Sequence, residues 1–332
     1  MTSCAVPTAN AEPPPRARAR SAGLRALYGR LRGALLCALL AGCATPPPSL
    51  GPLEGTLYEN ALDLWLERSV QLQSIHERIR VAAAELCGSD VSPALGLVAV
   101  RPRELPAPLV RIAARRFGAQ GRPLVLGVAP GSAGERAGIL PGDRVLRVGL
   151  RRVVSTRAIY SPPHTPAPSL AVKVLRDGRT LDLEVANQPG CDYRVELVDS
   201  DGLNAYALGK KGMFLAGLLR MLGRDEAIAF VIGHELAHYI AYRATGKRSR
   251  DVADEVDADY LGAHLAERAG YHLSLADFER VRAAYAASEL GADTPSTHPP
   301  TPQRAVRFGQ TLAEIERERE RGEPLRLPRA MR

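Results

Sequence analysis

The feature that most constrains this chain is an apolar helical stretch that carries two histidines with a glutamate between them. The stretch begins near Asp225, runs to about Tyr242, and contains His234, Glu235 and His238. Residues four apart share one face of a helix, so the two imidazoles can bind the same metal ion. Three polar side chains in an apolar helix would otherwise each need a buried partner. The stretch therefore predicts a zinc site at which Glu235 acts as general base towards water.

A second acidic segment downstream supplies candidates for the third ligand. Glu255 and Asp259 are again four residues apart on a predicted helix. One carboxylate can complete a set of two histidines and a glutamate, and the other can accept the free ring N–H of a ligand histidine. A metzincin would instead have glycine at 241 and histidine at 244, where this chain has Ala241 and Ala244. We therefore expect one Zn²⁺ per chain, bound by the two histidines and Glu255, with Asp259 behind them.

This part of the chain resembles the gluzincin peptidase family of HtpX, the periplasmic BepA and the CAAX prenyl endopeptidases. That family pairs a two-histidine helix with a later glutamate ligand and an aspartate four residues after it, as Glu255 and Asp259 are placed here. Further matching segments are Asn204–Ala207, Gly212–Leu215, Gly217–Leu219 and Thr297–Arg304. The resemblance thus rests on several separate places along the chain.

The resemblance implies a mainly α-helical zinc metallopeptidase domain over residues 192–332, acting on polypeptide substrates. It also implies a short sheet with an edge strand beside the metal, along which substrate lies extended. The residues of that strand would be Met213, Phe214 and Leu215. Unfolded or misassembled envelope proteins are the substrates that the resemblance suggests.

A histidine far from the two-histidine helix is a further candidate for the site. Prolines follow His298 directly and exclude a helix there, so we expect a loop that can cross the cleft. His298 could donate a hydrogen bond to an oxyanion, occupy the fourth position on zinc and exclude water, or lie in solvent. Arg304 is expected to anchor the helix that follows by pairing with Asp259 or Glu255. Tyr239 and Tyr260 are further candidates for oxyanion donors.

The N-terminal segment reads as a targeting signal. Arginines precede the apolar run Leu31–Leu40, which is too short to span a membrane, and the run leads into Ala41-Gly42-Cys43. This ending resembles the lipobox of bacterial lipoproteins, so residues 1–42 are predicted to be a signal peptide and Cys43 to carry lipid. An ordinary secretory signal is the alternative. Residues 43–55 are a proline-rich tether, and Ala44, instead of aspartate, favours the outer membrane, facing the periplasm.

The net charge of +8 gives no reason to expect a nucleic acid as partner. Residues 1–42 hold six of the 44 basic residues and one of the 36 acidic ones. The remainder of the chain is close to neutral, at about +3.

Residues 88–191 are predicted to form a PDZ-like β module. Val128–Leu146 resembles the bacterial PDZ domain, and Asp177-Gly178 between two alternating runs predicts a β-hairpin. Leu95–Leu97 could be a carboxylate-binding loop. The long helix of a peptide-binding groove is replaced by the proline-rich Ser155–Pro168, in which at most a turn or two of helix can form. Peptide capture and a purely structural role both remain open.

Cys87 and Cys191 are predicted to form a disulfide. They are the cysteines that remain beside Cys43 after processing, in a compartment that oxidises thiols. They lie just before and just after the β module, whose ends should be close together.

The chain is thus predicted to be α+β: a helical segment over 56–87, the PDZ-like module over 88–191, and a gluzincin domain over 192–332. The predicted function is a membrane-tethered periplasmic zinc metalloendopeptidase. The alternative is a chaperone or assembly adaptor with a structural or latent zinc site. Outer-membrane assembly machinery is a further possible partner.

Overall fold

The computed structural model describes residues 52–118, 121–246, 251–289, 298 and 301–322, which combine helices and sheets. The predicted signal peptide, Cys43 and the start of the tether lie outside these residues. The first helix begins at Pro52, so the last four residues assigned to the tether are helical. Proline suits the first position of a helix because the N–H that it lacks has no partner there. Among the described residues, no helix combines the length and apolar content that crossing a membrane requires.

The helices are α1 (Pro52–Ala82), α2 (Ala107–Phe117), α3 (Ala133–Arg136), α4 (Arg157–Tyr160), α5 (Ala216–Leu222), α6 (Asp225–Thr245), α7 (Val252–Arg268), α8 (Leu275–Glu289) and α9 (Pro302–Glu320). The strands are β1 (Val91–Pro93), β2 (Leu97–Val100), β3 (Leu124–Val128), β4 (Arg144–Val148), β5 (Arg151–Arg152), β6 (Ser169–Arg176), β7 (Arg179–Ala186), β8 (Pro189–Cys191), β9 (Arg194–Val198), β10 (Ala205–Ala207) and β11 (Lys211–Leu215).

The β module is built on an antiparallel sheet in the order β2-β3-β4-β6-β7, with β5 paired to β4. Strands β6 and β7 form the predicted hairpin, and both residues of its turn, Asp177 and Gly178, have positive φ. An Asp-Gly turn of this kind matches the twist of the two strands. Inward-facing valines such as Val172 and Val185 are fully buried and form the module's core.

The β module is closed at its base by a short strand pair and a disulfide. Strands β1 and β8 pair antiparallel, with Val91 opposite Cys191. Cys87 is bonded to Cys191 with a Cα–Cα distance of 5.6 Å, inside the range that a disulfide allows. The first and last residues of the module are therefore held together covalently.

Helix α1 packs against both parts of the chain. Leu72 and Ile79 are fully buried in the same core as α6, each contributing about 1.5–3 kcal/mol by leaving water. On the β module, Val70 lies so close to Gly127 of β3 that a Cβ there would come within 2.9 Å of it. Arg80 donates to the carbonyl of Cys191 at 2.9 Å. The helix therefore braces the two parts against each other.

The second part of the chain holds a sheet in the order β10-β11-β9, with helices α5 to α9 packed around it. Strand β11 is antiparallel to β10 and parallel to β9, so it lies in the middle. The prediction that Met213, Phe214 and Leu215 form an edge strand is therefore wrong, and Phe214 is fully buried. The outer strands of this sheet are β10 and β9.

A polar junction joins the β module to helix α6. The hydroxyl of Tyr239 donates to Asp90, and Arg243 Nε lies 3.4 Å from the same carboxylate. Lys210, at the β10–β11 turn, donates to Asp90 and, at 2.8 Å, to Asp192. Burial by itself would raise the pKa of Asp90, but the bonds from Lys210 and Tyr239 bring it below its usual range.

Candidate metal centre

Two glycines allow the helices that carry the predicted ligands to approach each other closely. A Cβ on Gly233 of α6 would lie 2.7 Å from the carbonyl oxygen of Gly262 on α7. A Cβ on Gly262 would lie 2.7 Å from the backbone nitrogen of His234. Asp259 and Glu255, about one and two turns before Gly262 on α7, therefore reach the histidines of α6.

Four side chains converge there: His234 and His238 from α6, Glu255 from α7, and His298. One ligand atom from each lies within 4.8 Å of all the others. His234 Nε2 is 3.0 Å from His238 Nε2 and 3.2 Å from His298 Nδ1. Glu255 is 3.1 Å from His238 Nε2 and 3.0 Å from His298 Nδ1.

This spacing fits a tetrahedral metal ion. Ligands at about 2.0–2.1 Å from zinc lie roughly 3.3 Å from one another, close to the distances seen here. Imidazole nitrogens and a carboxylate are donors that zinc binds. His234 and Glu255 are each 2% exposed, so water does not satisfy their polar atoms. A metal ion would satisfy the ring nitrogens that converge there. The residues present therefore fit a zinc ion.

Asp259 and Arg304 contact the ligands of this cluster and fix their orientation. His234 Nδ1 lies 2.9 Å from Asp259 Oδ1, which turns the Nε2 atom towards the cluster. Arg304 donates to both oxygens of Asp259, at 2.7 and 2.8 Å, and its Nη1 is 3.1 Å from Glu255. Arg304 therefore fixes the start of α9 against the site through both carboxylates considered in the sequence.

The charges of these groups are strongly coupled. Burial by itself would lower the pKa of His234, but Glu255 and Asp259 outweigh it and raise that pKa to about 10. Burial would raise the pKa of Glu255, yet His234 and the hydrogen bonds of the cluster hold it well below its usual range. In the metal-free site, His234 is thus a cation beside two carboxylates.

The carboxylate of Glu235 makes no hydrogen bond in this site. Its side chain is fully buried, and neither carboxylate oxygen has a hydrogen bond. His298 Nε2 lies 3.3 Å from its Oε1. A buried carboxylate is costly unless it is satisfied, so its position suits a group that meets water or substrate in the working site.

His298 lies in the ligand cluster and not in solvent. Its Nε2 is 3.2 Å from the carbonyl oxygen of Ala205 on the β10 edge. A carbonyl can only accept, so Nε2 carries the proton and the lone pair of Nδ1 faces the other ligands. Of the roles considered from the sequence, this geometry favours the fourth ligand over the oxyanion donor.

Tyr285 contacts the site, although the sequence did not indicate it as a site residue. The ring of Tyr285 on α8 stacks on His298 with centroids 5.2 Å apart, and its buried hydroxyl has no hydrogen bond. The two tyrosines proposed as oxyanion donors are engaged elsewhere, Tyr239 with Asp90 and Tyr260 with Glu314 at 2.8 Å. Tyr285 and Phe278 are seven residues apart, a helical spacing that is typical of core residues and does not indicate a site.

Comparison with known proteins supports a metallopeptidase. Residues 173–245 match the model of peptidase family M48. A protein of Rhizobium meliloti (strain 1021) named "Putative zinc metalloprotease R01501" is 38% identical over 100 residues, which cover 27% of this chain and 23% of that protein. The chain thus spans about a quarter of the length of that relative. Both findings support the M48 family.

Solved structures with likeness to this chain include the HtrA-type protease AlgW with decapeptide. That likeness has 22% identity, a TM-score of 0.24, and covers 30% of each chain. The HtrA3 PDZ domain bound to a phage-derived ligand is also 22% identical, with a TM-score of 0.21, covering 30% of this chain and 86% of that one. The PDZ-like character of the β module stays a prediction.

Proposed function

We propose that this protein is a zinc-dependent metalloendopeptidase. The observation that carries the proposal is the set of His234, His238 and Glu255, with the buried carboxylate of Glu235 beside it and without a hydrogen bond. A purely structural metal site has no use for such a carboxylate, which is costly to bury. A hydrolase needs one, as general base.

The chemistry divides between the metal and the chain's own residues. Zinc bound to this set would supply a Lewis acid that acidifies water and polarises the scissile carbonyl. Glu235 takes a proton from the attacking water and passes it to the leaving amine. Asp259, itself fixed by Arg304, keeps the His234 ring oriented. The β10 edge, with the carbonyl of Ala205, lines the side on which an extended substrate can pair.

His298 holds the site in a closed state in this proposal. A set of four protein ligands is the pattern of structural zinc sites, whereas catalytic sites keep one position open. His298 Nδ1 would take that position on a bound zinc, while Nε2 donates to the Ala205 carbonyl. Hydrolysis therefore requires His298 to leave.

The test is hydrolysis of fluorescein-labelled casein by the purified chain. Activity should be lost with 1,10-phenanthroline, return with stoichiometric zinc, and be absent from Glu235→Gln with zinc still bound. Hydrolysis that survives both chelation and Glu235→Gln would reject the proposal.

We further propose that the protein works in the bacterial cell envelope, tethered through lipid on Cys43 and facing the periplasm. The support is the Leu40–Cys43 sequence, together with a disulfide that suits an oxidising compartment. Unfolded or misassembled envelope proteins are the proposed substrates, and outer-membrane assembly machinery is a proposed partner. Cys43→Ser should release the protein from the membrane fraction, and unchanged fractionation and mass would contradict the anchor.

The second candidate is a chaperone or assembly adaptor with a structural zinc site. The closed four-ligand cluster with His298 is the observation in its favour. The two candidates separate in cells that lack the protein. Rescue by Glu235→Gln would favour the adaptor, whereas failure of rescue with normal protein levels would favour the peptidase.

A further inference from the structure

The hairpin of strands β4 and β5 carries a concentration of positive charge that the metal centre does not use. Residues 147–157 contain four arginines and no acidic residue. They are Arg147 on β4, Arg151 and Arg152 on β5, and Arg157 at the start of α4, and all four are exposed. None of these guanidinium groups forms an ion pair with another described residue. Arginine keeps its charge in proteins, so this positive charge persists unless a partner compensates it.

The register of the sheet places like charges opposite each other in this hairpin. Arg147 on β4 is the direct partner of Arg152 on β5 and, on its other side, of Lys173 on β6. Like charges directly opposite on neighbouring strands destabilise a sheet. Further across the sheet, Asp182 of β7 compensates Lys173 at 2.9 Å. Residues 147–157 hold no such acid, so an anionic partner from outside the chain would relieve the repulsion there.

The turn of the hairpin adds apolar side chains that protrude. Leu150, between the two strands, is 94% exposed, and Val154, just after β5, is 62% exposed. A leucine that stands almost alone at a turn offers no cavity for a side chain of a partner. It can, however, enter an apolar medium while the cations around it contact anionic groups at the surface of that medium. An anionic lipid bilayer combines these two properties.

The segment before α1 gives a reason why a bilayer would be the partner. Under the lipid anchor proposed above, Cys43 lies at the membrane, and Pro52 begins α1 nine positions later. Nine positions span at most about 32 Å when the chain is fully extended. Helix α1 packs on the β module where Val70 meets Gly127. The anchor would therefore keep the β module within reach of the phospholipids to which its arginines are complementary.

We propose that the β4–β5 hairpin is a docking surface for an anionic phospholipid bilayer. The guanidinium groups of Arg147, Arg151 and Arg152 contact lipid phosphates, and Leu150 enters the boundary between headgroups and acyl chains. This second contact orients the β module on the membrane, which a lipid on Cys43 by itself does not do. The inference takes the membrane as partner from the proposed anchor, and it does not depend on the proposed hydrolysis.

The test measures co-sedimentation with lipid vesicles of the chain from residue 44, which keeps every described residue and carries no lipid. The vesicles contain phosphatidylcholine alone, or phosphatidylcholine and phosphatidylglycerol in equal amounts. We expect binding to the anionic vesicles only, and release in molar salt because screening weakens the contacts of exposed charges. Equal binding to both kinds of vesicle would overturn the proposal. Since this chain has no anchor, its binding is measured independently of the Cys43→Ser fractionation.

A matched pair of double variants assigns the binding to the arginines of the hairpin. Arg151→Gln with Arg152→Gln should weaken binding about 25-fold, since each cation near an anionic surface contributes about fivefold. Arg280→Gln with Arg317→Gln removes the same charge from exposed positions on α8 and α9 and should have little effect. Equal losses in the two double variants would overturn the proposal, because binding would then follow net charge alone. Removing Arg152 relieves a like-charge pair, so the melting temperature should not fall.

The apolar tip is tested by a second matched pair. Leu150→Ser should weaken binding to the anionic vesicles about tenfold, because a leucine side chain no longer leaves water. Leu275→Ser, on a leucine that is 48% exposed at the start of α8, should leave binding unchanged. This pair keeps every charge, so it separates entry into the bilayer from attraction to its surface.

An acidic polypeptide is the alternative occupant, and poly-L-glutamate is the probe for it. Binding of poly-L-glutamate as tight as that of the anionic vesicles, together with unchanged vesicle binding by Leu150→Ser, would overturn the proposal. The hairpin would then be a site for acidic polypeptide. Weak binding of poly-L-glutamate, together with the loss in Leu150→Ser, would support the bilayer.

Discussion

Two sheet edges in this molecule are each closed by a ring side chain from another segment, but the closures differ in kind. At β10, His298 donates to the carbonyl of Ala205 while its other nitrogen lies among metal ligands. At β2, Tyr160 takes both the N–H and the C=O of Ala99 in two neutral hydrogen bonds.

The difference concerns what can open each edge. The closure at β10 depends on a cluster of charged groups and a metal, so pH and metal occupancy should act on it. The closure at β2 depends on two neutral hydrogen bonds, so neither pH nor metal occupancy should act on it.

The largest effect should come from Glu235→Gln. Loss of a general base lowers kcat by about 10²–10⁴-fold, while the amide exchange of Ala99 at the other edge should not change. The control is Glu226→Gln, the same chemical change in the first turn of α6, which we expect to keep activity within twofold. Equal losses in the two variants would show that the effect is not catalytic.

Removing the disulfide should destabilise the β module strongly. Cys87 and Cys191 close a loop with a sequence separation of 104, for which loss of the bond costs about 4.7 kcal/mol. We expect the double variant to serine to lower the melting temperature and to speed amide exchange in β2 more than in α6. Calorimetry with and without reductant checks this, and an unchanged melting temperature under reduction would contradict it.

The β10 edge should depend on pH where the β2 edge does not. In the metal-free protein the pKa of His234 is raised to about 10, from 6.5. The stability it contributes is complete below pH 6.5 and is lost as pH rises towards 10. Zinc must displace this proton, so zinc affinity should rise over the same range by about tenfold per pH unit.

Calorimetry and competition with a zinc chelator between pH 6.5 and 9 measure these two opposite trends. The Ala99 amide, corrected for the intrinsic rate, should keep constant protection throughout, since burial raises the pKa of Tyr160 above this range. A zinc affinity that does not change with pH would contradict the proton displaced from His234.

His298→Ala should raise the rate of casein hydrolysis. If His298 is out of the site in about a tenth of molecules, its removal increases activity about tenfold. His272→Ala, on an exposed histidine, is the control and should have no effect. A fall in kcat with unchanged KM would show instead that His298 stabilises the oxyanion.

The smallest effect on stability should come from Tyr285→Phe. Its buried hydroxyl has no hydrogen bond, so removing it should change the free energy of unfolding by less than about 1 kcal/mol. A change in kcat of more than about tenfold would exceed what this loss of stability explains. It would show that the Tyr285 hydroxyl contacts substrate once His298 has left. Urea unfolding and turnover, both measured on the same preparation, separate the two.

The sequence by itself determined the local elements and the set of ligand candidates. Asp177-Gly178 marked the β6–β7 turn, and the apolar run after Asp225 marked helix α6. The four-residue spacings of His234 with His238 and of Glu255 with Asp259 predicted which side chains share a face. Such features repeat with the period of the helix or strand and need no knowledge of distant segments.

Tertiary structure alone decided which strand is the edge, which tyrosine reaches the metal cluster, and what closes β2. The family resemblance assigned Met213–Leu215 to an edge strand, yet the sheet places β10 outside it. Tyr285 stacks on His298. Tyr160 hydrogen-bonds to Ala99, from which it is separated by 61 positions in the sequence. These contacts form between segments whose local patterns carry no information about each other, because the packing of the whole chain, not propensity, sets which side chains meet.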